Sequence, residues 1–203
     1  MASVQGSEDL PEKSVILIEE NTGLVKSIYA QYIAAETASA GKDVCYVTPR
    51  DAVDIRSQMT HLRILPETGF HIEEMHRMDP DALLDLLTLH SKGDLAIVDQ
   101  FSFYFIDISL VGFRDAVSRL IAAAKTGRIF LLLVDREILP QQHEMLLRAM
   151  ADGVIQITTV AEGDKIKRYL NIPKMQGARL IEKMLPFTVT DEGFLIDTRE
   201  RHG

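Results

Sequence analysis

A mixed α/β fold, with a mostly parallel central sheet covered on both faces and antiparallel strands at its C-terminal end, is predicted by three features of the sequence. Short apolar runs at Val15–Ile18, Val44–Val47, Leu95–Val98 and Ile129–Val134 have the length and composition of buried strands. Segments with helical spacing separate them, and strand alternating with helix at this interval argues for parallel pairing through crossovers. From Lys165 onward the pattern changes to short alternating segments joined by turns, as expected of antiparallel edge strands.

The elements follow in order. Residues 1–12 are polar and are expected to be a flexible leader, with 13–203 forming a single domain. Within KSVILIEENTGLVKSIYAQY, Lys13 to Tyr32, the strand Val15–Ile18 is broken by Asn21, Thr22 and Gly23, and a helical pattern begins at Lys26. Ile28 to Ala40 is an Ala-rich helix ended by Gly41. After the strand Val44–Val47, Pro49 stops the run, Ala52–Met59 reads as a short helix, and Gly69–Met75 alternates like a partly exposed strand. Asp79 or Asp81 caps the helix Ala82–Leu89, whose leucines recur at helical spacing. Leu95–Val98 delivers Asp99, and Ile129–Val134 delivers Asp135. Between them, Val117, Leu120, Ile121 and Ala124 mark a helix within Val111–Ala124. Gln141–Met150 is helical and Val154–Thr158 is a strand. Ile166–Ile172, Phe187–Val189 and Phe194–Ile196 are the closing strands.

Composition narrows the functional classes. The chain has 203 residues, 46% of them hydrophobic, enough for one substantial core. A formal net charge of −8 gives no overall attraction to nucleic acid. Cys45 is the single cysteine, which rules out a disulfide framework or a cysteine zinc cluster within one chain and fits a reducing compartment. The N-terminus lacks the apolar core of a signal peptide and no run reaches membrane-spanning length, so a soluble cytoplasmic protein is expected.

The turn after the first strand overlays the phosphate-binding motif G-x-x-x-x-G-K-[ST] from Glu20 to Ser27. Lys26 and Ser27 match, but both glycines are replaced, the first by Glu20 and the second by Val25. A phosphate cradle needs backbone N–H groups turned inward at close range, which glycine permits and a β-branched residue resists. An unfavourable conformation at Val25 would cost roughly 1–3 kcal/mol. A carboxylate beside a phosphate would add about 1–4 kcal/mol of repulsion. Together these would lower triphosphate affinity by roughly two to four orders of magnitude. Lys26 and the helix N-terminus would still attract an anion. In parallel sheets ligands bind beyond the carboxyl ends of the strands, and this loop, Asp99 and Asp135 all open there. An Asp ending an apolar strand is also the arrangement that holds Mg²⁺ through water beside a phosphate-loop serine.

With these pieces in order, the chain resembles the RecA-type ATPase domains of the KaiC group, which include archaeal KaiC-like and motor-accessory proteins. The matching segments run from about Val15 to Ile196: Lys42 to Thr48 as the second core strand, LAIVDQFS around Asp99 as the Walker B strand, IFLLLVD as the next strand, and ADGVIQI from Ala151. KRYLNIPKMQG followed by FTVTDEGFLI resembles the closing R-x-L-x-I-x-K-M-R-G … F-x-I-x-x-x-G stretch, the most specific of the matches. The resemblance implies a three-layer RecA-like P-loop fold. It also implies roles for individual residues: Thr22, Gly23, Lys26, Ser27 and Asp99 as a vestigial nucleotide site, with Ser27 and Asp99 toward Mg²⁺.

The resemblance also shows losses. Where the active family carries a glutamate pair whose first member activates the lytic water, this chain has Arg50 and Asp51, and arginine cannot act as a general base. The K-M-R motif, whose cations reach a neighbouring subunit's nucleotide, reads Lys174-Met175-Gln176 and keeps one cation. No catalytic residue is therefore assigned, and ATP with Mg²⁺ is expected to bind weakly or not at all. What the resemblance implies instead is a regulatory or assembly role of the signal-transduction or motility type, in a homo-oligomer or with a related protein. The alternative is an active ATPase with a non-standard loop that uses Glu19 or Glu20.

Other groupings are read as structural. His71, Glu74 and His76 lack the H-E-x-x-H spacing, and in a strand the two histidines fall on opposite faces. Phe101, Phe103, Tyr104 and Phe105 are read as core rather than as a stacking platform or subunit interface. Lys165, Lys167 and Arg168 are read as a solvated face. QFSFYFIDIS and REILPQQHE, at the positions where recombinases bind DNA, carry few cations, which disfavours nucleic acid.

Overall fold

The computed structural model describes residues 10–21, 23–90, 93–177, 184–190 and 193–196. These form nine strands in one sheet of order β3-β2-β4-β5-β1-β6-β7-β8-β9. The strands are β1 (Val15–Glu20), β2 (Val44–Thr48), β3 (Phe70–Glu74), β4 (Leu95–Val98), β5 (Ile129–Asp135), β6 (Gly153–Glu162), β7 (Lys165–Met175), β8 (Leu185–Thr190) and β9 (Gly193–Ile196). β3 through β6 in the sheet order are parallel, and β6 to β9 continue as antiparallel pairs.

β1 lies between β5 and β6, so both its edges are hydrogen-bonded, and its apolar residues Val15 to Ile18 are fully buried under the helices on the two faces of the sheet. Each such side chain contributes about 1.5–3 kcal/mol relative to exposure. Strand alternation divides them. Ile16 and Ile18 pack with helix α1 (Val25–Ser39) and α2 (Ala52–His61), whereas Val15 and Leu17 pack with α3 (Pro80–Asp85), α4 (Leu110–Ala124) and α5 (Gln141–Met150). Two apolar layers result, one on each side of the sheet.

Local signals mostly place the boundaries. Asp79 accepts hydrogen bonds from the Asp81 and Ala82 amides and caps α3, with Pro80 in the first turn. Ser109 caps α4 through the Gly112 amide. Gly41 takes a positive φ of 80° directly after α1, and the Gly41 and Lys42 amides bond back to Ala38 and Thr37. Several predicted boundaries shift, with β6 and β7 running well beyond Val154–Thr158 and Ile166–Ile172. α1 begins at Val25, α2 extends to His61, and the helix expected over Ala82–Leu89 is α-helical only to Asp85 before a π-type turn at Leu86–His90.

The aromatic run after Asp99 forms a 3₁₀ turn, Phe101–Phe105, whose Phe101 and Phe105 rings lie 4.8 Å apart and pack against Phe113. Phe101, Tyr104 and Phe105 are buried. At the other end of the sheet, Phe187 and Phe194 stack at 4.3 Å, and Phe194 meets Tyr29 at 4.5 Å, so the closing hairpin packs against α1. Among the described residues no helix is long and apolar enough to cross a membrane.

Candidate functional site

Alternation along the strands collects the polar residues at the carboxyl edge of the sheet. Glu20, Tyr46, Thr48, Asp99 and Asp135 each follow the phase of the residues that pack toward α1, so their side chains converge on its first turn. Lys26 and Ser27 enter the same space from α1 and are buried, Lys26 at 2% exposure. Of the candidate nucleotide residues, Gly23, Lys26, Ser27 and Asp99 lie here, and Thr22 lies outside the described residues.

Two adjoining clusters make up the site. In the first, the Lys26 ammonium donates to Asp135 Oδ1 at 2.8 Å and to the Gly23 carbonyl at 2.8 Å, with Glu20 Oε2 at 3.9 Å. Glu20 Oε2 in turn accepts the Lys26 amide at 3.0 Å. Burial pushes the Glu20 carboxyl above its ordinary pKa, only partly offset by the Lys26 amide and ammonium and the Val25 amide, while the Asp135 charge pushes it further up. Asp135 Oδ2 is buried with no hydrogen-bond partner among the described residues. In the second cluster, Ser27 Oγ donates to Asp99 Oδ1 at 2.9 Å and the Tyr46 hydroxyl donates to Oδ2 at 3.1 Å. Burial raises the Asp99 pKa against the lowering effect of these two hydrogen bonds, and desolvation with the Asp99 charge raises Tyr46 well above its ordinary value.

The strain expected at Val25 is not realised. Positive φ among described non-glycine residues falls at Lys13, Arg63, Gln100 and Glu137, and Val25 simply opens α1 after Leu24 at φ −103°. Glu20 instead folds back so that its carboxylate accepts the Lys26 amide at the start of α1. At Gly23 a Cβ would lie 2.8 Å from Glu20 Oε1, so the absence of a side chain there lets the Glu20 carboxylate lie in this position. Sequence reasoning placed a repelling charge at Glu20 but missed its contact with the loop itself, and it missed Asp135 as the partner of Lys26. The only available signal was the strand-terminal position of Asp135.

The fit to a nucleotide can be tested on this geometry. Ser27 beside Asp99 is a donor pair suited to Mg²⁺. The loop does not fit a triphosphate as it stands, because a carboxylate already takes the Lys26 amide and Lys26 is tied to Asp135. Arg50 points to Gln58, its Nη1 donating at 3.3 Å. Lys174, expected to face a neighbouring subunit, donates to the Arg148 and Ala149 carbonyls at the end of α5.

Glu19, one residue before Glu20, points to the opposite face. Arg148 Nε donates to Glu19 Oε1 at 2.6 Å and Gln156 Nε2 donates to Oε2 at 3.1 Å. A separate exposed group joins Glu74 and His76 to Asp51 rather than to His71, with ligand-capable atoms within 4.8 Å of one another. His76 Nδ1 bonds the Pro49 carbonyl and Glu74 accepts the Ala52 amide.

No protein-family model matches the sequence, and no curated protein matches it. Solved structures do. The flagellar accessory protein FlaH of Methanocaldococcus jannaschii superposes with a TM-score of 0.82 at 17% identity, covering 94% of this chain and 92% of that one. A KaiC-like protein of Pyrococcus horikoshii superposes with a TM-score of 0.77 at 20% identity, covering 92% and 91%. With the strand order, the antiparallel extension and the loop–helix turn at the carboxyl edge, these likenesses establish that the chain has the KaiC-like RecA-type fold.

Proposed function

We propose that this is a KaiC-like RecA-fold protein that acts without hydrolysing ATP, in a regulatory or assembly role exercised through an oligomer or a related partner chain. The observation that carries the reading is the state of Lys26: the cation of the loop is buried and held at 2.8 Å by Asp135, with a carboxylate rather than open space ahead of it. Phosphoryl transfer is positioning plus charge stabilisation, and both are compromised when the ammonium is already neutralised. Arg50 at the position of the water-activating glutamate supports the same conclusion. A flagellar accessory protein with the same fold supports an assembly-type role by analogy, which is a weaker ground than chemistry.

The competing reading, an ATPase that recruits Glu19 or Glu20 as its base, meets a specific obstacle. Glu19 faces α5 and is engaged by Arg148 and Gln156, and Glu20 accepts the Lys26 amide. The deciding experiment is phosphate release by the purified chain with ATP and Mg²⁺. Release at the background rate is expected; sustained turnover that disappears in Lys26→Ala overturns the non-hydrolysing reading.

A further inference from the structure

We propose that Glu20 is a built-in stand-in for a phosphate group, its carboxylate occupying the anion seat at the start of α1 and thereby barring phosphate-bearing ligands from the loop. The inference rests on reading this turn as a phosphate site, and it names what now fills that site.

Four observations support it. The seat is of the kind that recognises an anion, with backbone amides at a helix N-terminus and a lysine ammonium beside them. Glu20 Oε2 takes the Lys26 amide at 3.0 Å and sits 3.9 Å from Lys26 Nζ. The other oxygen lies against Gly23, where a Cβ would meet it at 2.8 Å and push the end of the Glu20 side chain aside. The carboxylate is enclosed, with Glu20 only 6% exposed.

The charge balance points the same way. Among the described residues, the carboxylates of Glu20, Asp99 and Asp135 are buried around the Lys26 ammonium, with Arg50 acting on Asp99 as a second cation, so three carboxylates face two cations. A nucleotide phosphate would add negative charge where there is already an excess, so it can enter only if Glu20 leaves. Glu20 sits at the first glycine position of the motif, where an ordinary phosphate loop has no side chain to offer. Its substitution therefore removes an aperture and supplies the occupant together.

The test is calorimetric titration of inorganic pyrophosphate, and separately of ATP with Mg²⁺, into the native chain, Glu20→Gln and Glu20→Ala. Pyrophosphate should give no measurable binding to the native chain at millimolar concentration. It should bind Glu20→Ala at least about 10- to 100-fold more tightly, the scale set by losing one close like charge. Glu20→Gln keeps the volume and one acceptor, so it should fold, and about a 10-fold gain is expected from charge alone. That variant decides the question if Glu20→Ala does not fold. Native binding as tight as that of the variants, or no gain in a folded variant, overturns the proposal. Phosphate release is scored in parallel: native binding without turnover removes only the Glu20 stand-in, whereas native turnover also removes the non-hydrolysing reading.

Discussion

Glu19 and Glu20 are consecutive, both buried and chemically identical, yet the molecule treats them in opposite ways. Glu19 faces α5, where Arg148 and Gln156 satisfy both its oxygens and Arg148 also bonds Glu144. Burial opposes the Arg148 charge, but the hydrogen bonds and charges of Glu19 and Glu144 together outweigh it and raise the Arg148 pKa above its ordinary value. Glu20 faces α1, where the nearby ammonium is already closer to Asp135, and its own pKa is raised by burial. The first is a carboxylate bought with a dedicated cation. The second leans mainly on amides that exist for another purpose. A one-residue step along a strand exchanges one environment for the other.

Breaking the Glu19 side should have the largest effect. Arg148→Met leaves a carboxylate of 1% side-chain exposure without its cation, and a loss of about 3–5 kcal/mol is expected in urea unfolding. A loss under about 1 kcal/mol would mean that Glu19 is content with Gln156 alone. Gln156→Leu should cost less, about 1–2 kcal/mol, because it removes one hydrogen bond to Glu19 Oε2 and also strands the Asn171 amide that donates to Gln156.

The Glu20 side should respond weakly and with the opposite sign. A carboxyl whose folded pKa is raised binds its proton more tightly when folded, so its contribution to stability falls as pH rises from about 4.5 through the folded value. Glu20→Gln should therefore be at least as stable as the native chain at pH 7, and the difference should shrink toward pH 4. Denaturant midpoints across that range provide the check. A Glu20→Gln variant clearly weaker than native at pH 7 would place Glu20 with Glu19 after all.

Much of the architecture was legible because it depends on neighbours in sequence. The runs VILI, LAIV and IFLLLVD pack both faces of central strands, and Asp79-Pro80 is a local helix start. The π-type turn at Leu86–His90 was not legible, because leucines at helical spacing do not distinguish it from ordinary helix. At the site, the residues were visible but their pairing was not. Lys26 and Asp135 are 109 positions apart, and Ser27 and Asp99 are 72 apart. Whether Glu20 repels a ligand from outside or sits in the seat itself depends on a side-chain turn that no residue pattern encodes.

Among the described residues the sheet ends in a particular way. At one margin β3 carries Glu73 and Glu74 exposed beside His71, and at the other the described part of the sheet closes with β9. A charged margin resists the addition of a further strand from another molecule. Such an edge disfavours joining copies of the chain by extending the backbone ladder from β3.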